Sequence, residues 1–362
     1  MAQTALTILK ENKILYMRQP STEKPSPQNK SKNNHTFEVD STHSTKLALI
    51  PKKVCLLKPS KMVVAEDIMQ LDHAIWRGDV EAFLKSLPLE PLFDLVVTSP
   101  PYNIGKEYET RIELDQYLKW QEGIINEIIP RLKNGGSLCW QVGNFVAANQ
   151  IFPLDIEFSP IFKKHNLQLR NRIVWQFGHG LHTRKRFSGR YEVILWYTKT
   201  KSPKDSYTFN LDAVRIPAKY PGKKHFKGPN AGTFSGNPLG KNPEDVWAIP
   251  NVKSNHVEKT DHPCQFPVGL VERLVLALTN PGDLVFDPFS GVASAGVAAA
   301  LHDRRFWGCE RVLGYAKTGL IRIQDALDGN AIYRPHDKAL YDHTQSNLSK
   351  LPEGFKTEVH KK

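Results

Sequence analysis

Cysteine is scarce in this chain of 362 residues, with four in all, and Cys55, Cys139, Cys264 and Cys309 are too scattered to suggest a disulfide framework or a metal knuckle. That usage is expected of a protein kept in a reducing compartment. Long apolar runs are missing too. No segment is long enough to cross a bilayer and no signal-peptide pattern opens the sequence, which excludes a membrane partner and leaves the cytosol as the expected location. Metal-ligand clusters are absent: His179 and His182 stand close together, but no other histidine or cysteine has matching spacing, so no metal is expected. Acidic residues are in deficit. With 49 Lys and Arg against 37 Asp and Glu, the formal charge is +12, enough to draw the chain to a polyanion at low salt.

What the sequence does contain is concentrated in two segments. The apolar run Phe93-Asp94-Leu95-Val96-Val97 reads as a buried strand and stops at Thr98-Ser99-Pro100-Pro101-Tyr102-Asn103. Neither proline donates a main-chain N–H and both have fixed φ, so the carbonyls of Ser99 and Pro100 become stiff, outward-pointing acceptors. An exocyclic amino group could donate to them, and two acceptors aimed at its hydrogens favour the pyramidal geometry of a nucleophile. Tyr102 can stack on the ring that carries such an amine. Taken alone, Pro-Pro-Tyr reads equally well as a proline-terminated strand beside a loop.

The second segment is Asn280-Pro281-Gly282-Asp283-Leu284-Val285-Phe286-Asp287-Pro288-Phe289-Ser290-Gly291, followed by an alanine-rich helix over Val292 to Leu301. Strand, tight turn and helix make the first unit of a nucleotide-binding α/β fold. About twenty residues on, Arg305-Phe306-Trp307-Gly308-Cys309-Glu310 ends a strand on a carboxylate suited to two ribose hydroxyls. Gly291, Ala293 and Gly296 also fit a variant dinucleotide fingerprint, so a nicotinamide-dependent enzyme stands as an alternative.

The turn Ser99-Pro100-Pro101-Tyr102 resembles the catalytic signature of the amino-group DNA methyltransferases, which act on cytosine N4 or adenine N6. The succession His262-Pro263-Cys264-Gln265-Phe266-Pro267, a helix over Leu270 to Thr279, Asp287-Pro288-Phe289-Ser290-Gly291 and Glu310 resembles the S-adenosylmethionine-binding region of the same family. The resemblance implies that Ser99, Pro100 and Tyr102 are catalytic with Pro101 shaping the turn, and that Asp287, Pro288, Phe289, Ser290, Gly291 and Glu310 hold S-adenosyl-L-methionine. Asp79, in Ile75-Trp76-Arg77-Gly78-Asp79, matches the family's element near the cofactor adenine; a plain strand-ending turn is the equal alternative. One departure is Ala293, where the family usually has a second glycine. A methyl group there restricts positive φ, and a degenerate cofactor site on a silent DNA-binding protein is the reading it leaves open. Catalytic turn before cofactor loop marks the beta group and favours DNA over protein glutamine as substrate.

The fold implied is α/β, a mostly parallel Rossmann-like sheet of the S-adenosylmethionine-dependent methyltransferase type, circularly permuted, with a loop-rich DNA-recognition insertion. Residues 1–61 are expected to be a basic, disordered arm, 62–199 the catalytic half, 200–261 the target-recognition insertion, 262–335 the cofactor half and 336–362 a tail. Helices are expected over Glu81–Leu87 and Asp115–Leu132, with Asn134-Gly135-Gly136 as a stop before a strand at Ser137–Val142. Two further strands, Leu169–Phe177 and Tyr191–Tyr197, flank a basic, glycine-punctuated hairpin. Arg184, Lys185 and Arg186 on that hairpin, and Lys223, Lys224 and Lys227 in the insertion, are the expected contacts to double-stranded DNA. Nucleoid association follows from that partner. The class also allows a companion restriction endonuclease and a homodimer. Within the family, serine before Pro-Pro-Tyr is associated with cytosine N4 more than with adenine N6, so cytosine is favoured and adenine is the alternative. The only Pro-Cys, Pro263-Cys264, precedes the cofactor helix, which is the wrong setting for attack at cytosine C5.

Overall fold

The computed structural model describes residues 15–16, 54–57, 68–105, 110–180, 182–202 and 204–350. The arm over residues 1–61 therefore lies outside the described residues, apart from two short strands, and so does the end of the tail after residue 350.

In chain order the strands are β1 (Leu15–Tyr16), β2 (Val54–Leu57), β3 (His73–Arg77), β4 (Phe93–Thr98), β5 (Leu132–Val142), β6 (Asn144–Ala147), β7 (Gln150–Pro153), β8 (Gln168–Gln176), β9 (Tyr191–Thr198), β10 (Val246–Ala248), β11 (Leu284–Asp287) and β12 (Arg305–Glu310). The helices are α1 (Val80–Ser86), α2 (Leu114–Arg131), α3 (Leu154–Lys164), α4 (Val268–Leu278), α5 (Ser294–Leu301) and α6 (Leu313–Leu327). Ten strands form one sheet in the order β1-β2-β3-β12-β11-β4-β5-β9-β8-β10, and β6 and β7 pair as a separate hairpin. From β2 to β5 every neighbour is parallel; β9 runs antiparallel to both β5 and β8.

Strands buried on both faces explain the continuous apolar runs. Val96, Phe286 and Trp307 point into one core with α1, α2 and α3, whereas Leu95, Val97, Val285 and Phe306 point into the other with α4, α5 and α6. The two sets alternate along each strand, as a pleat requires. α2 buries Tyr117, Gln121, Ile124, Ile125 and Ile128, the spacing of one helical face. Its last carbonyls are satisfied by Lys199, whose Nζ donates to Ile129 O at 2.8 Å and Leu132 O at 2.7 Å. The expected glycine stop is not what ends α2: the helix stops at Arg131 before an extended Leu132, and Asn134-Gly135-Gly136 lies within β5, where Gly135 at φ +79° interrupts the ladder so that pairing with β4, made at Leu132, resumes at Ser137.

Two differences from the sequence reading concern organisation. Val54–Leu57, inside the arm expected to be disordered, is a fully buried strand paired parallel to β3; four apolar residues were hidden there among lysines and prolines. The two halves also interleave, because β11 and β12 slot between β3 and β4. The chain over residues 331–336 then folds back on α4, where Glu258 Oε1 accepts from Arg334 N at 3.0 Å and Glu272 Oε2 from His336 N at 2.8 Å.

Candidate active site

β4 ends where Pro100 and Pro101 can no longer donate to a ladder. Its parallel neighbour β11 ends level with it, and Thr98 Oγ1 donates to Asp287 Oδ1 at 2.7 Å, tying the two strand ends together. From β4 the chain proceeds to β5 on one side; from β11 it proceeds to β12 on the other. That reversal is the switch point at which α/β sheets open a crevice beyond their carboxyl ends. A cleft of about 520 Å³ lies there, reaching from Asp79 and Glu310 past Gly291 to Ser99, Tyr102 and Glu192.

On the β11 side the loop is rigid. Phe289 N donates to Asp287 Oδ1 at 3.0 Å, and Ser290 N donates to Cys309 O at 2.8 Å. The Phe289 ring stands 5.8 Å from Trp120 of α2 and thereby locks the loop to the opposite helix layer. Burial pushes the Asp287 carboxyl up to about 7, partly offset by the Thr98 and Phe289 donors. Gly291 has φ +52°, and a Cβ there would meet His262 Nε2 at 3.1 Å. Burial lowers the His262 ring to about 4, with Lys259 adding to the effect, so a neutral imidazole faces the loop. Glu310 is pushed upward by burial, and its Oε1 accepts from Val312 N at 2.7 Å. Asp79 pairs with Arg311 at 3.2 Å, both largely exposed.

Ala293 takes φ 56°, ψ 45°, the left-handed conformation of the glycine it replaces. Its methyl group points away from the cleft onto α6, where a Cβ on Gly319 would lie 2.9 Å from it. The departure is thus absorbed by a glycine on the facing helix, and Ala293 does not line the cleft.

On the β4 side, Asn103 closes the turn: Ile112 N donates to its Oδ1 at 2.7 Å and its Nδ2 donates to Ile112 O at 2.5 Å, with Asn103 itself at φ 59°. The Tyr102 ring is half-buried, and Gly143 leaves room for it, since a Cβ there would sit 3.3 Å from Cε2. Its hydroxyl lies 3.0 Å from Ser99 Oγ, 2.5 Å from Gln141 Oε1 and 3.2 Å from Glu192 Oε2. Gln141 Nε2 donates to Glu192 Oε2 at 2.5 Å. Burial raises Tyr102 well above its ordinary range and Glu192 to about 7.

The fold brings the two turns singled out in the sequence to one cleft and adds Gln141 and Glu192, for which the sequence alone indicated no role. Their signal was faint: one polar residue near the end of Leu138-Cys139-Trp140-Gln141-Val142, and one acid opening the apolar strand Glu192 to Trp196. The expected DNA contacts sit elsewhere. Arg184, Lys185, Arg186, Lys223, Lys224 and Lys227 are all exposed, and none of them lines the cleft. The first three lie on the β8–β9 connection that leads directly to Glu192. The other three lie on an excursion closed at its base by Ile216 and Lys241, just before β10. Of the insertion, Asn251 and Val252 reach the cleft. Among the described residues no cluster of metal-ligating side chains occurs.

A family model described as DNA methylase, for N6 and N4 transfer, matches residues 93–320. The chain belongs to this DNA methylase family. Type II methyltransferase M.BglII of Bacillus subtilis is 45% identical over 76% of this chain and 75% of its own length, and DNA adenine methyltransferase YhdJ of Escherichia coli is 33% identical over 70% and 83%. Among solved structures, the DNA modification methylase TTHA0409 of Thermus thermophilus, complexed with S-adenosyl-L-methionine, is 26% identical with a TM-score of 0.50, covering 74% of this chain and 99% of that one. The nicotinamide alternative carried by Gly291, Ala293 and Gly296 is overturned by these findings.

Proposed function

We propose that the cleft binds a flipped nucleobase at Ser99–Tyr102 and S-adenosyl-L-methionine at Asp287–Gly291, and that the acceptor is the exocyclic N4 of cytosine. The protein is a DNA methyltransferase of the N6/N4 family and uses S-adenosylmethionine. The observation that supports base and cofactor sharing one cleft is the tether between the two strand ends. Because Thr98 holds Asp287, the acceptor groups of the Pro-Pro turn and the glycine loop open into one cleft.

The donor set suits the cofactor. Gly291 leaves the loop open beneath His262, Glu310 ends β12 with a carboxylate suited to ribose hydroxyls, and Asp79 stands at the far end of the same cleft. S-adenosylmethionine supplies an electrophilic sulfonium methyl group when bound. Ser99 Oγ and the Pro100 carbonyl accept from the amine and steer its lone pair toward that methyl; Tyr102 stacks on the ring. Extrusion of the base from the duplex brings it to this depth. No covalent intermediate with the protein is needed, and Cys139 and Cys309 are buried thiols pushed upward in pKa, unsuited to act as nucleophiles.

Adenine N6 is the second reading, favoured by the likeness to the adenine methyltransferase YhdJ. Serine at position 99 supports cytosine by family association. The type II relative supports a role in restriction-modification beside an endonuclease. Transfer of tritium from methyl-labelled S-adenosylmethionine to unmethylated duplex DNA tests the reading. Incorporation that disappears in Tyr102→Ala supports it, whereas tight DNA binding with no incorporation establishes a silent binder.

A further inference from the structure

Methyl transfer to a neutral amine forms an N–C bond as the donor's C–S bond breaks, with the electron pair leaving on sulfur. The nitrogen is left with one proton too many. In this chain the turn offers no group able to keep it: Ser99 has a neutral hydroxyl and Pro100 a carbonyl, and neither holds an extra proton near pH 7. A carboxylate in the place of Ser99 would. The proton must therefore leave the turn, and the hydrogen bonds on the protein side of Ser99 show where it can go.

We propose that Glu192 is the terminal acceptor of this proton, reached from Ser99 through the Tyr102 hydroxyl. The reading rests on the amino-methyltransferase function above. Ser99 Oγ lies 3.0 Å from Tyr102 OH, and Tyr102 OH lies 3.2 Å from Glu192 Oε2. As Ser99 takes the proton from the amine, its own passes to the tyrosine oxygen and the tyrosine's passes to Glu192, so every oxygen of the relay ends neutral. Tyr102 contributes as a neutral hydroxyl, since burial keeps it from ionising. Gln141 places the carboxylate by donating from Nε2 at 2.5 Å, and its own Oε1 can hold the tyrosine proton between turnovers.

The environment of Glu192 fits an acceptor that must load and unload near neutrality. Three strands converge on it: Tyr102 follows β4, Gln141 belongs to β5, and Trp175 of β8 lies opposite it in the ladder. Tyr102 is the titratable group among these; burial raises the Glu192 carboxyl, and the Gln141 and Tyr102 donors oppose that rise. Burial also raises Asp287 and Glu310 at the cleft, but Asp287 Oδ1 is engaged by Thr98 and Phe289 on the β11 side, and Glu310 Oε1 accepts from Val312 N at the end of β12.

Single-turnover methyl transfer to unmethylated plasmid DNA, at saturating S-adenosylmethionine and across pH 5.5 to 9, tests the proposal. The wild-type rate is expected to rise with pH and level off with a midpoint near 7. Glu192→Gln and Tyr102→Phe are each expected to lose on the order of 100-fold and to lose the midpoint, while Glu192→Asp keeps a pH-dependent rate. A readout without turnover comes from carbon-13 NMR of glutamate carboxyls in the full-length protein alone. One resonance should titrate near neutrality, vanish in Glu192→Gln, and move to higher pH in Tyr102→Phe, because the lost hydroxyl donates to the charged form. Transfer by Glu192→Gln within threefold of wild type, a midpoint near 7 that survives in it, or a Glu192 carboxyl in the ordinary range would overturn the proposal. No transfer by the wild-type protein would overturn the functional reading and this one with it.

Discussion

Asp287 shows how a single side chain is committed by its surroundings. It is 3% exposed, receives Thr98 Oγ1 and Phe289 N on one oxygen, and still has its pKa raised to about 7, because burial outweighs two hydrogen bonds. The sign of the consequence is fixed by linkage. A carboxyl whose folded pKa lies above its unfolded value binds more protons in the native state, so stability falls as pH rises from about 4 through 7. Chemical denaturation of the cofactor-free protein should show wild type losing stability relative to Asp287→Asn over that window; parallel curves would mean that the carboxyl is solvated. At this scale Ser99, Pro100, Tyr102, Asp287 and Glu310 were legible as strand-end residues marked by a local pattern, and the fold sets them around one cleft. The sequence offered no access to the polar cluster. Tyr102 reaches Gln141 across 39 positions and Glu192 across 90, and such convergence is a property of the sheet order rather than of any local pattern.

At the scale of elements, the loop and helix after β11 carry the clearest test. Ala293 holds a left-handed conformation that costs an alanine roughly 1 kcal/mol, and its methyl group fits only because Gly319 of α6 leaves the space. A Gly319→Ala substitution puts a Cβ 2.9 Å from that methyl and 3.0 Å from Ile75 Cδ1. A loss of about 1–3 kcal/mol is expected from overpacking, with part of it recovered when Ala293→Gly is added. Thermal unfolding of the single and double variants checks this, and additive losses would show that the two sites do not meet. Elements that carry a clean period were legible: α2 by its apolar face, β4 and β11 by their apolar runs, α4 as a helix buried almost all round. Others were not. α3 carries Pro160 within its length, which breaks the usual helix pattern, and β2 is four apolar residues in a polar stretch that gain their burial from β3 alone.

The whole molecule adds charge and order. Its +12 is not spread over the cleft, whose walls carry carboxylates; the proposed DNA contacts lie on connections outside it. If Arg184, Lys185 and Arg186 bind phosphates, replacing all three by alanine should weaken duplex binding similarly for all sequences and flatten the slope of log affinity against log salt by about 2 to 3. Fluorescence anisotropy over a salt series measures that slope, and an unchanged slope would remove these residues from the interface. The permuted motif order, legible in the sequence, is what the sheet realises: β11 and β12 enter between β3 and β4, so the late cofactor loop lands beside the early catalytic turn. Methylation of an exocyclic amine of a DNA base by this pairing of turns is read out by mass spectrometry of nucleosides. The DNA would come from a methylation-deficient host expressing the chain, beside a Tyr102→Ala control. N4-methylcytosine that is absent from the control is the expected result; N6-methyladenine would overturn the choice of base, and the absence of both marks with intact protein present would refute amine methylation by this cleft.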